Sequence, residues 1–188
     1  MNATTLRRWN LVLLAGWIGA CIAVYPRLPE RIPLHFGFFG GADAWTPTSM
    51  GIWLLLPAIG AAVVLFGYAL SGVAAHTPEM WNLRQDEVKR VRALPSHVWK
   101  DLADAGQRTT AGVLILTTVA LIGVQLGVYA TAVGQTEQMP WYAQVILWGA
   151  LAGAGILSVR ERSRVRRQIR DVSPKPQTPE DVSSPRRA

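Results

Sequence analysis

The chain has a single cysteine, Cys21, among 188 residues. That excludes an internal disulfide and any cysteine-based metal cluster. Charge is also sparse, at 16% of residues, and it is missing altogether from four stretches: 9–25, 51–75, 109–133 and 139–159. These hold 88 residues, nearly half the chain. A soluble domain of this size rarely carries several uncharged apolar runs that approach or exceed the roughly 20 residues a bilayer-crossing helix needs. No Asp, Glu, Lys, Arg or His lies inside the runs. Proton relays and ion pathways use ionisable groups at that depth, which argues against a proton-coupled transporter or pump. A serine–histidine–acid set, a glycine-rich phosphate loop and a paired-carboxylate motif are absent as well. A non-enzymatic protein with no cofactor is therefore expected.

A spanning segment must satisfy its own backbone hydrogen bonds, so each run reads as a helix. The expected fold is all-α: four transmembrane helices at about 9–25, 51–75, 110–133 and 141–159, forming one membrane domain over 1–159. Pro57 should kink the second span or loosen its first turns. Trp9, Tyr25, Trp53, Trp141 and Tyr142 fall near span ends, as an aromatic belt requires. Seventeen Lys and Arg residues lie in the N-terminal tail, the 76–108 loop and the tail from Arg160, against two in the other loops. The positive-inside rule then places both termini in the cytoplasm and the 26–50 loop outside.

The first span also admits a second reading. Arg7-Arg8, an apolar stretch and Ile18-Gly19-Ala20-Cys21 form a lipoprotein-like signal with lipidation at Cys21. The apolar run continues through Ile22-Ala23-Val24, which favours a signal anchor.

The outward loop is the most distinctive segment. Pro26, Pro29 and Pro33 fix φ and bias their predecessors toward extended backbone. Leu34-His35-Phe36 then reads as a short strand, and Gly37, Gly40 and Gly41 permit a reversal that makes a small hairpin. Asp43 closes the turn and Trp45 suits a headgroup-level anchor. Pro26, Leu28, Pro29, Ile32, Pro33, His35, Phe36, Gly40, Asp43 and Trp45 together resemble a membrane domain of unknown function, numbered sixteen forty-eight among domain families. That domain lies at the N-terminal side of the SdpI-type immunity proteins. The resemblance covers about residues 9–135, more weakly after the second span at Pro78, Trp81 and Asn82. It implies a bacterial plasma-membrane protein of unassigned biochemical activity. A counterpart of the additional C-terminal membrane region associated with immunity is not expected.

Pro29, Pro33, His35, Phe36, Gly40, Asp43 and Trp45 are the candidate ligand-binding or loop-shaping residues. A zinc site wants three or four protein ligands, and His35 with Asp43 supplies two. Glu30 would be a third at an unfamiliar spacing, so no metal is expected. The pair either bonds within the loop to hold its shape or faces an extracytoplasmic peptide or lipid. Gly123 and Gly127 in the third span, with Gly149 and Gly153 in the fourth, allow close helix approach. They fit a contact between spans three and four or an oligomer face.

On the cytoplasmic side, Asn82 and Gln85 suit a helix cap. A second helix from Ser96 places Val98, Leu102 and Ala105 on one face, and Trp99 suggests that the pair rests on the membrane surface. Residues 160–188 read as a basic, largely disordered tail whose first part extends the fourth span. Arg160, Arg162, Arg164, Arg166 and Arg167 should hold anionic headgroups at about 1 kcal/mol per charge. From Ser173 onward the Pro-rich composition reads as disorder. Without aromatics or a DNA-reading motif in the tail, nucleic acid is not the expected partner. The leading expectation is an envelope protein that senses or binds an outside peptide or lipid. The alternative is an accessory or structural subunit of a membrane complex, and a third is metal or enzymatic use of His35 and Asp43.

Overall fold

The computed structural model describes residues 2–81, 85–92, 94–134 and 136–172. It is mostly helical: α1 (Ala3–Val24), α2 (Met50–Ala74), α3 (Gln85–Arg92), α4 (Ser96–Gly134) and α5 (Trp141–Val172). Between α1 and α2 lies an antiparallel hairpin of β1 (Arg31–Phe36) and β2 (Ala42–Pro47). Four helices are long and apolar enough to cross a membrane, the architecture of a multi-pass membrane protein. Asn2 and Ser49 cap α1 and α2, their side chains accepting from the backbone N–H groups of Thr5 and Ile52. The hairpin and the α4–α5 connection share one end of the bundle, here called the hairpin end. The N-terminus, α3 and the start of α4 lie at the tail end.

One expected boundary moves. Residues 96–108 do not form a separate surface helix; they continue into the third span as one 39-residue helix. At 1.5 Å per residue α4 is about 58 Å long, well beyond the roughly 30 Å of a bilayer core. No proline or turn interrupts Ser96–Gly134, and Gly106 alone does not end a helix. The change from charged to uncharged sequence marks a change of solvent, not of backbone. Helix α5 runs through the arginine-rich segment to Val172, in line with the expected extension of the fourth span. The expected cap at Asn82 and the expected disorder from Ser173 lie outside the described residues. Helix α3 is not splayed outward: Val91 is buried, and Glu87 of α3 sits 3.8 Å from Arg166 of α5.

Helix α4 is the centre of the bundle. It packs against α1, α2 and α5, whereas α5 packs chiefly on α4. Glycines set the α4–α5 distance. A Cβ at Gly123 would lie 2.9 Å from Ile146 Cγ2, and one at Gly127 would lie 2.7 Å from Met139 Cγ. Gly153 faces Leu116 and Gly112 faces Leu157, continuing the same antiparallel contact. Gly149 differs: nothing lies within 4 Å of its Cβ direction, so it takes no part in this contact.

Trp53 does not sit in an interfacial belt. It is 3% exposed and packs in a core with Leu14, Trp17, Cys21, Ile32, Val64 and Ala132. Its indole Nε1 donates to the Cys21 carbonyl at 2.7 Å, tying α2 to α1. The Cys21 thiol is buried in this core, an interior helical position. Pro57 supplies no N–H to the carbonyl four residues earlier, that of Trp53. The helix nevertheless continues, and Gln125 Nε2 of α4 donates to the freed carbonyl at 3.4 Å.

A second polar cluster lies nearer the tail end, at a position the uncharged sequence gave no reason to single out. Asn10, fully buried, donates from Nδ2 to Tyr68 Oη at 2.9 Å and accepts from Thr118 Oγ1 at 3.0 Å. Three helices are joined at one residue, and the Arg7 guanidinium lies over the Tyr68 ring. Interhelical bonds of this kind contribute about 0.6–2 kcal/mol in membranes.

The Pro57–Gln125 relation gives a double-variant test. Gln125→Leu should lower resistance to thermal unfolding in detergent by the equivalent of about 1 kcal/mol. Pro57→Ala restores the missing N–H, so the Gln125→Leu cost should shrink in that background. An equal cost in both backgrounds would refute the bond.

Candidate functional site: the hairpin and the cleft beneath it

The proline-rich arm folds as a hairpin because each local constraint favours extension and reversal. The segment Tyr25–Arg27 is a short 3₁₀ turn, and the chain extends from Leu28. Thr48 closes the base, its Oγ1 donating to the Pro29 carbonyl at 2.5 Å and its N–H to the Glu30 carbonyl at 2.8 Å. Arg31 pairs with Pro47, Ile32 with Thr46 and Pro33 with Trp45. The register then slips on either side of His35. Such bulges add twist and re-aim side chains. Here they leave both Leu34 and His35 exposed while Ile32, 2% exposed, plugs into the helical core.

The turn is anchored to the rest of the bundle. The Ala42 N–H donates to the Glu137 carbonyl, and the Met139 N–H to the Gly40 carbonyl, each at 2.7 Å. The α4–α5 connection thus pairs with the hairpin through the bridge Gly41–Gln138. Gly40 adopts φ 82°, and a Cβ there would lie 2.6 Å from Gln144 Nε2. The positive φ demands glycine, and a side chain there would also have to displace the Gln144 amide. Gln144 is in turn fixed by donating from Nε2 to the Met139 carbonyl.

His35 Nδ1 and Asp43 Oδ1 lie 2.6 Å apart, so the two strands are joined by a side-chain bond on the exposed face. Among the described residues, no three of His, Cys, Asp and Glu gather as a metal site. The pair can hold the loop shape and present a polar rim.

Beneath the hairpin is a cavity of about 430 Å³. It arises because α5 packs on α4 and leaves a gap beside α2. Ile52, Leu55 and Ile59 of α2 form one wall; Leu147 and Trp148 of α5 form the other. Val124, Gln125 and Val128 of α4 form the floor, and the hairpin is the roof. The lining is mostly apolar, with Gln125, Gln144 and His35 as the polar groups. At the tip, Phe38 and Phe39 are 78% and 86% exposed. The Phe38 ring lies 5.6 Å from that of Trp148, so the tip leans on the exposed side of α5.

The structure brings together part of the residue set chosen from the sequence. Pro33, His35, Phe36 and Gly40 line the cavity; Pro29, Asp43 and Trp45 do not. Pro29 and Asp43 instead brace the hairpin, and Trp45 is a half-buried partner of Pro33. Sequence reasoning missed Phe38 and Phe39, although two aromatics between glycines at a loop tip were a readable signal. It also missed Gln144, Leu55 and Trp148, which look like ordinary span residues until the helices are placed.

Residues 11–61 match the family described as a domain of unknown function (DUF1648). This is the domain that the loop motif resembles, and the matched segment contains α1 from Leu11, the whole hairpin and the first half of α2. No curated protein and no solved structure matches the chain.

Gly40→Ala should open the hairpin locally. Left-handed backbone costs a non-glycine residue about 1–2 kcal/mol, and the Gln144 contact adds to it. Faster amide hydrogen exchange across 31–47, with unchanged exchange in α2, is the expected result. His35→Ala should change unfolding resistance by no more than about 0.5 kcal/mol, since exposed pairs contribute little.

Proposed function

We propose that this is a non-enzymatic protein of a bacterial plasma membrane that binds an amphipathic peptide at the outer face. The carrying observation is the apolar cavity between α2 and α5, roofed by the hairpin and rimmed by His35. A membrane-active peptide lies at the interface with apolar side chains down and polar ones up. Such a peptide fits a cleft whose floor is apolar and whose edge carries the His35–Asp43 pair. The aromatic tip of Phe38 and Phe39 suits burial at the headgroup boundary. Orientation is supported by the charge distribution. The segments 26–50 and 134–140 carry two of the Lys and Arg residues and the other segments outside the apolar runs seventeen, which favours hairpin outside and termini in the cytoplasm. The resemblance to the SdpI-type proteins favours an immunity-like or signalling role.

A second reading, an accessory subunit of a membrane complex, is favoured by Gly149. It lies on α5, which packs chiefly on α4, with open space over it. Gly149→Leu should disrupt co-purification with a partner if that reading holds.

The peptide reading is tested in strains carrying wild type, a deletion, His35→Ala or Val124→Phe at matched membrane levels. Each is challenged with membrane-active peptides, including the host's own culture supernatant. Val124→Phe fills the cleft floor and leaves the hairpin intact. Deletion and Val124→Phe should be hypersensitive together, with His35→Ala between them and wild type. Full resistance in Val124→Phe would remove the cleft from the function, and full resistance in the deletion would remove peptide immunity.

A further inference from the structure

The gap between α2 and α5 opens a second time at the tail end. There it forms a separate cavity of about 620 Å³ with a different lining. Its deeper wall is Val113 and Leu114 of α4 with Ala74 of α2. Its mouth carries Glu161, Arg162 and Arg166 of α5. The uncharged run of α4 starts at Thr109 and that of α5 ends at Val159. The cavity therefore straddles the level where the chain passes from apolar to charged sequence, which is the depth of phospholipid headgroups.

Two observations specify the chemistry. Arg162 has no acidic partner among the described residues, and Arg166 has only Glu87 at 3.8 Å, longer than a hydrogen bond. Both guanidinium groups remain open to a phosphate, for which arginine is well shaped. Immediately before Arg162 in sequence, Glu161 holds its Oε1 buried with no hydrogen-bond partner. A buried carboxylate oxygen without a donor is costly. An ordinary anion would leave that oxygen unsatisfied and add like charge beside it.

We propose that this cavity binds one bilayer phospholipid with a primary-amine zwitterionic headgroup, phosphatidylethanolamine. Its phosphate meets Arg162 and Arg166. Its ammonium donates to the Glu161 carboxylate at the mouth. Its acyl chains run along Val113 and Leu114 in the gap beside α2. The Glu161 contact separates this site from a general attraction of basic residues to anionic lipid. A quaternary ammonium has no N–H to give, and phosphatidylglycerol has no cation.

The test uses the full chain in nanodiscs of phosphatidylcholine with an equal minor fraction of phosphatidylethanolamine or phosphatidylglycerol. Native mass spectrometry after detergent release reads the retained lipid. The wild type should retain one phosphatidylethanolamine, at roughly tenfold preference over phosphatidylglycerol and phosphatidylcholine, the equivalent of about 1.4 kcal/mol. Glu161→Gln should lose that preference, and Arg162→Gln should lose retention. Equal retention of the three lipids by the wild type, stronger retention of phosphatidylglycerol, or an unchanged preference in Glu161→Gln would each overturn the proposal. The wild-type preference is read without any variant, so a folding defect cannot mask the answer. The site is remote from the hairpin, and the peptide challenge can fail or succeed independently.

Discussion

A carbonyl freed inside an apolar bundle must find a donor, and at Trp53 that demand organises three helices. Pro57 removes the N–H that would have met the Trp53 carbonyl, and Gln125 of α4 supplies a replacement. The same residue gives its indole N–H to the Cys21 carbonyl of α1. One side chain and one backbone group thus fix α2 between α1 and α4. Ile32 from the hairpin packs into the same core, so the position of the loop follows from the position of these helices. The Asn10–Tyr68–Thr118 cluster ties the same three helices nearer the tail end. Helix packing in lipid gains little from apolar burial and depends on close fit and interhelical bonds, which are concentrated at these two levels.

Helix α5 stands outside that arrangement. It is held to α4 by a row of glycine contacts and has no comparable packing on α1 or α2. The consequence is a gap along α2 that is filled at neither end. At the hairpin end the gap is roofed by β1, β2 and the α4–α5 connection and is lined mostly by aliphatic and aromatic groups. At the tail end it is edged by two arginines and a carboxylate. Both cavities arise from one packing decision, and their chemistry differs because the chain passes through a change of composition between them.

The hairpin shows how far local signals reach. Three prolines, the glycines after Phe36 and the position of Asp43 were enough to expect extension, reversal and a side chain closing the turn. They could not reveal the slipped register around His35, because a bulge depends on how two strands and their surroundings settle together. They could not reveal that Gly40 is needed for Gln144, which is more than 100 positions away and touches it only in the folded chain. Trp53 illustrates the opposite error. Its place near the start of a span suggested a headgroup anchor, yet nothing local distinguishes that from an indole whose N–H finds a carbonyl on the neighbouring helix.

The sequence by itself determined where the apolar helices lie and where an ordered loop interrupts them. Those features depend on composition over short windows and on the fixed backbone preferences of proline and glycine. It did not determine where α4 begins, because a helix is bounded by a backbone signal and none falls at the edge of the apolar run. Only the tertiary structure decided which helices touch, which glycines make the contact and where the gap is left. Those outcomes rest on pairs such as Asn10 with Thr118, 108 positions apart. Steric fit and hydrogen-bond satisfaction between such distant segments are properties of the assembled bundle, and no single stretch of chain carries them.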